Sequence, residues 1–130
     1  MERKYEEIKG YYDNGQLAEH YFSDINSDTY NGQFKRWYKD GTPQADCNFE
    51  DGKLVGISRW WYPDGKLQMI SENIGTDCGF FAEYNNDGAI VEADYVTESE
   101  IHDLGDELKG IDSSELTDEF IMMLRLKYYE

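Results

Sequence analysis

The sequence predicts a mainly β fold, a single-layer antiparallel array of about four hairpins followed by two C-terminal α-helices, and three observations carry that prediction. Four times an aromatic residue, usually followed by tyrosine, runs into a tight turn: Tyr11-Tyr12-Asp13-Asn14-Gly15, Trp37-Tyr38-Lys39-Asp40-Gly41, Trp61-Tyr62-Pro63-Asp64-Gly65 and Tyr84-Asn85-Asn86-Asp87-Gly88. The turn glycines stand 26, 24 and 23 residues apart, and in the last three units a second glycine (Gly32, Gly56, Gly79) lies nine residues ahead of the first. Fixed spacing within units and looser spacing between them describes rigid hairpins joined by tolerant loops, the mark of an internal repeat. After Tyr95 the apolar period changes from that of strands to that of helices.

Each unit reads as two strands around its glycine. Asn-Gly and Asp-Gly accept the positive φ that a two-residue type I′ hairpin requires at both central positions, so this turn is expected four times. The arm before the turn is aromatic and bounded by glycine, as in Gln33-Phe34-Lys35-Arg36-Trp37-Tyr38 and Ile57-Ser58-Arg59-Trp60-Trp61-Tyr62. The arm after it, such as Gly65-Lys66-Leu67-Gln68-Met69-Ile70, is shorter and less regular. Pro43 and Pro63 sit beside turns, where a missing amide donor is tolerated.

Alignment on the turn glycine separates two columns. Tyr11, Trp37, Trp61 and Tyr84 form one, expected to stack from unit to unit as a spine. Tyr12, Tyr38 and Tyr62, with Asn85 last, follow one residue later and by strand alternation point to the opposite face. With Trp60, Arg36 and Arg59 near its edge, that tyrosine row has the composition of an interface hot spot. The competing expectation is that these rings only cover a thin sheet.

The pattern of glycine, short aromatic strand, Trp/Tyr-Tyr, Asp/Asn-Gly and Lys/Gln-Leu resembles the variant MORN repeat of many bacterial proteins, several described as antitoxins. The likeness covers residues 4 to 96 and is clearest over Gly56 to Leu67. Glu6 replaces the leading glycine of the first unit, while Asn85 and Ala89-Ile90 depart from the pattern in the fourth, as end units do. The resemblance implies an array of hairpins that binds macromolecules, and no catalytic residue.

The chain divides into the repeat array, 1–96, and an acidic C-terminal cap, 97–130. The net charge is −16, with 18 acidic and 9 basic side chains up to residue 96 and 10 acidic and 3 basic beyond it. Such a field disfavours direct contact with nucleic acid or an anionic membrane and favours a basic or nucleic-acid-binding protein partner. Keeping an aromatic surface soluble is the alternative use of the charge. In the cap, Thr97-Glu98-Ser99-Glu100 has capping-box spacing, followed by Ile101, Leu104 and Leu108 and then Gly110, which predicts a helix over 98–109. Asp112-Ser113-Ser114-Glu115 offers a second start, with Leu116, Phe120, Ile121, Leu124 and Tyr128 on one stripe. The pair is expected to cover an open sheet edge, or else to form a homodimer or dock a partner through Phe120, Ile121, Met122, Met123 and Leu124.

No residue set points to catalysis, a cofactor or a metal. Cys47 and Cys78 fall in different columns and form no CxxC pair, and His20 and His102 have no nucleophile beside them in sequence. Asp24, Asn26 and Asp28 resemble the start of a calcium loop whose glycine and late glutamate are missing. The first residues are charged with no apolar stretch behind them, so a cytoplasmic protein with reduced thiols is expected. Two functions follow. One is a non-enzymatic binder that neutralises a protein, as an antitoxin, immunity protein or phage-encoded inhibitor of a defence enzyme does, its acidic surface imitating nucleic acid. The other is a scaffold that self-associates through its sheet edge or second helix. For the first, the expected partner-binding residues are Tyr12, Tyr38, Trp60, Tyr62, Asp103, Asp106, Glu107, Glu115, Asp118 and Glu119.

Overall fold

The computed structural model describes residues 4–74 and 79–128. Among them one antiparallel sheet holds β1 (Tyr5–Tyr11), β2 (Leu17–Asp24), β3 (Thr29–Tyr30), β4 (Gly32–Trp37), β5 (Pro43–Glu50), β6 (Lys53–Trp61), β7 (Leu67–Asn73), β8 (Gly79–Tyr84), β9 (Ile90–Val96) and β10 (Ile101–Asp103). Strands neighbour one another in chain order, except that the two-residue β3 pairs with β2 off the main path and β2 passes directly to β4. The four predicted hairpins are β1-β2, β4-β5, β6-β7 and β8-β9.

Their turns share one geometry, and it is not type I′. In each, the amide of the residue opening the turn donates to the carbonyl four residues on, and the glycine amide donates back to the opening carbonyl, as in Tyr12 N to Gln16 O at 2.9 Å and Gly15 N to Tyr12 O at 3.0 Å. This is a three-residue loop that ends in a left-handed glycine (φ between 84° and 92° at Gly15, Gly41, Gly65 and Gly88). In the first three turns the Asx residue has a different task from the expected one. The side chains of Asn14, Asp40 and Asp64 accept from the amides of Gln16, Thr42 and Lys66 at 2.9 to 3.0 Å, a local bond that short Asx side chains form readily. The Thr42 amide holds the Asp40 carboxyl below its ordinary pKa. The two-residue loop with both φ values positive occurs instead between units, at Asp51 (51°) and Gly52 (83°), which join β5 to β6.

Residue register fixes two faces. Ile70, Phe80, Ala82, Tyr84, Ala93 and Tyr95 lie on one face, and the C-terminal segment packs over it with Leu104, Leu108, Leu116, Ile121 and Leu124 to form the core. That segment runs through β10, the single turn α1 (Gly105–Leu108), a 3-10 turn (Ser113–Glu115) and α2 (Asp118–Tyr128). The helix expected over 98–109 is therefore corrected to a strand and one helical turn. The Thr97 amide bonds the Glu100 carbonyl at 2.9 Å while the Thr97 hydroxyl accepts from the Glu100 amide at 3.1 Å, so the capping-box spacing closes a hairpin turn. Ile101–Asp103 then pairs with the outer edge of β9. The cap thus protects the edge with β10 and covers a face with its helices. As expected, Leu116, Ile121 and Leu124 face inward, with Phe120 and Tyr128 partly buried against the same core.

One buried charge joins sheet to cap. Glu72 of β7 is 2% exposed, and its carboxylate accepts from Arg125 of α2 through Nε at 3.1 Å and through Nη2. The Tyr95 hydroxyl donates to the other Glu72 oxygen at 3.4 Å. The bond to Glu72 holds the Arg125 guanidinium above its ordinary pKa. Arg59 of β6 adds a second tie, donating to the Leu116 carbonyl at 3.0 Å and to Asp118 at 2.9 Å.

Candidate partner-binding face

The face opposite the cap is the candidate site. Glu19, Arg36, Ala45, Trp60, Met69, Glu83 and Glu92 stand opposite one another in successive strands and so form a line across it. A parallel line runs through Phe34 and Cys47 on one side and Ser71, Phe81, Asp94 and Asp103 on the other. Towards β1 this face is aromatic. Tyr21 stacks on Phe34 with centroids 5.5 Å apart, Tyr30 lies 5.4 Å from Phe34, and Phe49 lies 5.1 Å from Tyr30. A cleft of about 390 Å³ opens beside them between Ile8, Tyr21, Asp28 and Tyr30. Trp60, Met69 and Phe81 continue the apolar surface, each half-buried.

Towards β10 the same face is acidic. Glu83, Glu92, Asp94 and Asp103 crowd together there. A hydrogen bond with Asp94, and then the charges of Asp94, Glu83 and Asp103, push the Glu92 carboxyl above its ordinary pKa. The sheet carries an aromatic surface that grades into a carboxylate cluster, on the side that the helices leave uncovered. This gradient can exclude water at one end and attract a cation-rich surface at the other.

The expected site residues divide. Trp60 lies at the middle of this face. Tyr12, Tyr38 and Tyr62 open the turns, and their hydroxyls donate to the carbonyls of Trp37, Trp61 and Tyr84 at 2.7, 2.6 and 2.7 Å. Each tyrosine thus bonds the first aromatic of the next unit, 22 to 25 residues on. The hydroxyls serve the architecture, while the rings stay half-exposed. Asn85, which ends the column, uses its side chain to accept from the amides of Asp87 and Ala89 in its own turn. The spine expected from Tyr11, Trp37, Trp61 and Tyr84 is corrected as well: no ring contact links them among the described residues, and Tyr11 is 62% exposed. Aromatic stacking instead gathers at Tyr21, Tyr30, Phe34 and Phe49, residues that no shared column marks in the sequence.

The described acidic residues of the cap are exposed, but they do not form one surface. Asp103 accepts from the Gly105 amide at 2.8 Å and belongs to the carboxylate cluster of the open face. Glu107 accepts from the Tyr128 hydroxyl at 3.1 Å and lies 3.8 Å from Lys127, and Asp118 is paired with Arg59. Asp106, Glu115 and Glu119 point to solvent around α1 and the start of α2. Of the apolar residues proposed for docking, Ile121 and Leu124 lie in the core and Met122 and Met123 are exposed. Glu83, Glu92 and Asp94 were missed by the sequence reading. Strand parity, carried through the bulge at each turn, is the signal that places them together.

Cys47 is buried, and burial together with the Asp46 charge pushes its thiol up to about 11; Cys78 lies outside the described residues. Asp24 of the calcium-like segment caps its own loop, accepting from the Asn26 amide at 2.9 Å. Among the described residues, no helix is long and apolar enough to cross a membrane.

Three segments, residues 7–24, 30–51 and 54–72, match the family model for the MORN repeat variant. They coincide with the first three hairpins; the fourth lies outside the match yet repeats the same turn hydrogen bonds. No curated protein and no solved structure matches the chain.

Proposed function

For a chain that carries three variant MORN repeats, we propose a non-enzymatic role in which the open sheet face receives a basic protein and neutralises it. The observation that carries this reading is the gradient across one uncovered face, from Tyr21, Phe34 and Trp60 to Glu83, Glu92 and Asp94. Aromatic side chains supply the desolvated centre of an interface, and carboxylates at its end steer a basic partner and raise the association rate. An antitoxin, an immunity protein or a phage-encoded inhibitor of a cytoplasmic defence or nucleic-acid enzyme would act in this way, with no catalytic group, metal or cofactor of its own.

Imitation of nucleic acid is the narrower version. Asp103, Asp106, Glu107, Asp112, Glu115, Asp118 and Glu119 would stand for phosphates in a basic groove. Of these, Asp118 and Glu107 are partly neutralised by Arg59 and Lys127, so the carboxylates of the open face are the stronger candidates. The test is capture of partners by the tagged protein, eluted in steps of rising salt and identified by mass spectrometry. A single basic protein released by salt from wild type but not captured by the Glu83→Gln/Glu92→Gln/Asp94→Asn variant supports the reading. Equal capture by both proteins contradicts it.

A further inference from the structure

From the free edge of β1 we infer that a second copy of this chain pairs there, antiparallel about a two-fold axis at Ile8, to make one continuous sheet. The inference is independent of the partner proposed for the open face.

β1 is hydrogen-bonded to β2 alone among the described residues. It is seven residues long and mostly exposed, with Tyr5 51% and Tyr11 62% accessible. The Lys4 carbonyl accepts from the Ile25 amide at 3.0 Å, so the backbone polar groups of the even residues turn towards β2. Alternation then turns those of Tyr5, Glu7 and Lys9 outward, an unpaired template for another strand. The opposite end of the sheet has only the three residues of β10.

The charge order of β1 selects both the occupant and the register. Lys4 and Lys9 balance Glu6 and Glu7, so this edge is neutral in a chain whose net charge is −16. With the two-fold axis at Ile8, Glu7 of each copy stands opposite Lys9 of the other, and Tyr5 stands opposite Tyr11. Moving the axis to Glu7 sets glutamate against glutamate, and moving it to Lys9 sets lysine against lysine. Opposite charges directly across a pair of strands stabilise it and like charges destabilise it. The edge is therefore complementary to itself in the Ile8 register, as an isologous interface requires.

Light scattering on chromatographically separated protein, at concentrations from micromolar to millimolar, provides the test. Wild type should show twice the chain mass, and Lys9→Glu should weaken the dimer by roughly tenfold as two attractive pairs become repulsive. Glu7→Lys combined with Lys9→Glu restores opposite charges and should bring the dimer back. Ile8→Cys should form a disulfide-linked dimer on mild oxidation, since a non-hydrogen-bonded pair on the axis brings the two side chains close. A wild type that stays monomeric, a dimer indifferent to Lys9→Glu, a double variant that fails to recover, or no cross-link at position 8 would each overturn the inference. Circular dichroism of each variant keeps loss of pairing distinct from loss of fold.

Discussion

The Tyr38 hydroxyl donates to the carbonyl oxygen of Trp61 at 2.6 Å, across 23 residues of sequence. The same bond, from Tyr12 to Trp37 and from Tyr62 to Tyr84, makes a ladder that ties every hairpin to the next at its turn end. The turns add further links, for Asn14 Nδ2 donates to the Lys39 carbonyl at 3.1 Å and Lys39 pairs with Asp13 at 2.9 Å. A repeat with few aliphatic side chains is thus held together by polar bonds between units as well as by ring packing.

Tyr38→Phe keeps the ring and removes the bond. It should lower stability by about 1 kcal/mol, the net value of an intramolecular hydrogen bond, and Tyr38→Phe with Tyr62→Phe should lower it by about twice that. Urea unfolding followed by tryptophan fluorescence measures both. Tyr38 and Tyr62, expected from the sequence as partner-binding residues, thus also carry bonds between units. Midpoints equal to wild type would show that the ladder contributes nothing.

Much of the array was legible because its signals are local. Gly15, Gly41, Gly65 and Gly88 mark turns in sequence and adopt left-handed conformations in the fold. The turn type was misread because Asx-Gly suits both a type I′ turn and a loop in which the Asx side chain bonds the second amide after it, and composition does not choose between them. Thr97 to Glu100 was misread for a similar reason, since one spacing serves a helix cap and a tight turn. The Glu72–Arg125 pair joins residues 53 apart, and no local pattern announces it. The carboxylates of the open face emerge only after register is counted through the bulges at Gly10/Tyr11, Arg36/Trp37, Trp60/Trp61 and Glu83/Tyr84.

Arg125→Met leaves the buried Glu72 carboxylate without its counter-charge. A loss of about 2 kcal/mol is expected, less than for a fully buried pair because Glu72 is buried while Arg125 is partly exposed to water. Adding Glu72→Met should recover part of it, because the uncompensated carboxylate is removed although the Tyr95 hydroxyl gives up its bond to Glu72. Thermal unfolding of the two variants checks this, and a double variant less stable than Arg125→Met would contradict it.

Gly79 has φ of 122°, and a Cβ there would lie 2.0 Å from the Glu72 carbonyl oxygen. Backbone atoms cannot yield as a side-chain tip would. Gly79→Ala should therefore cost more than about 2 kcal/mol through strain combined with overpacking. Gly65→Ala, which meets nothing within 4 Å, isolates the conformational part. Equal unfolding midpoints for the two would refute the clash.

The buried Cys47 thiol, raised to about 11, should resist alkylation at pH 8 in the native protein and react once the chain is unfolded. A native thiol pKa above the unfolded one favours the fold while both states are protonated. That advantage is lost as pH rises from the ordinary thiol value through about 11. The stability of wild type relative to Cys47→Ala should fall across that interval. Rapid native alkylation at pH 8, or a difference that does not change with pH, would count against a buried neutral thiol.

The most direct test of the open-face account is the affinity of a captured partner for three proteins, measured by calorimetry at one ionic strength. These are wild type, the Trp60→Ala/Glu83→Gln/Glu92→Gln variant, and a Met122→Ser/Met123→Ser variant altered on the outside of α2. The account predicts an affinity loss of at least about tenfold for the first variant, as expected when an interface hot spot is removed, and wild-type binding for the second. Wild-type binding by the face variant, with binding lost in the helix variant, would place the partner on the cap and contradict it.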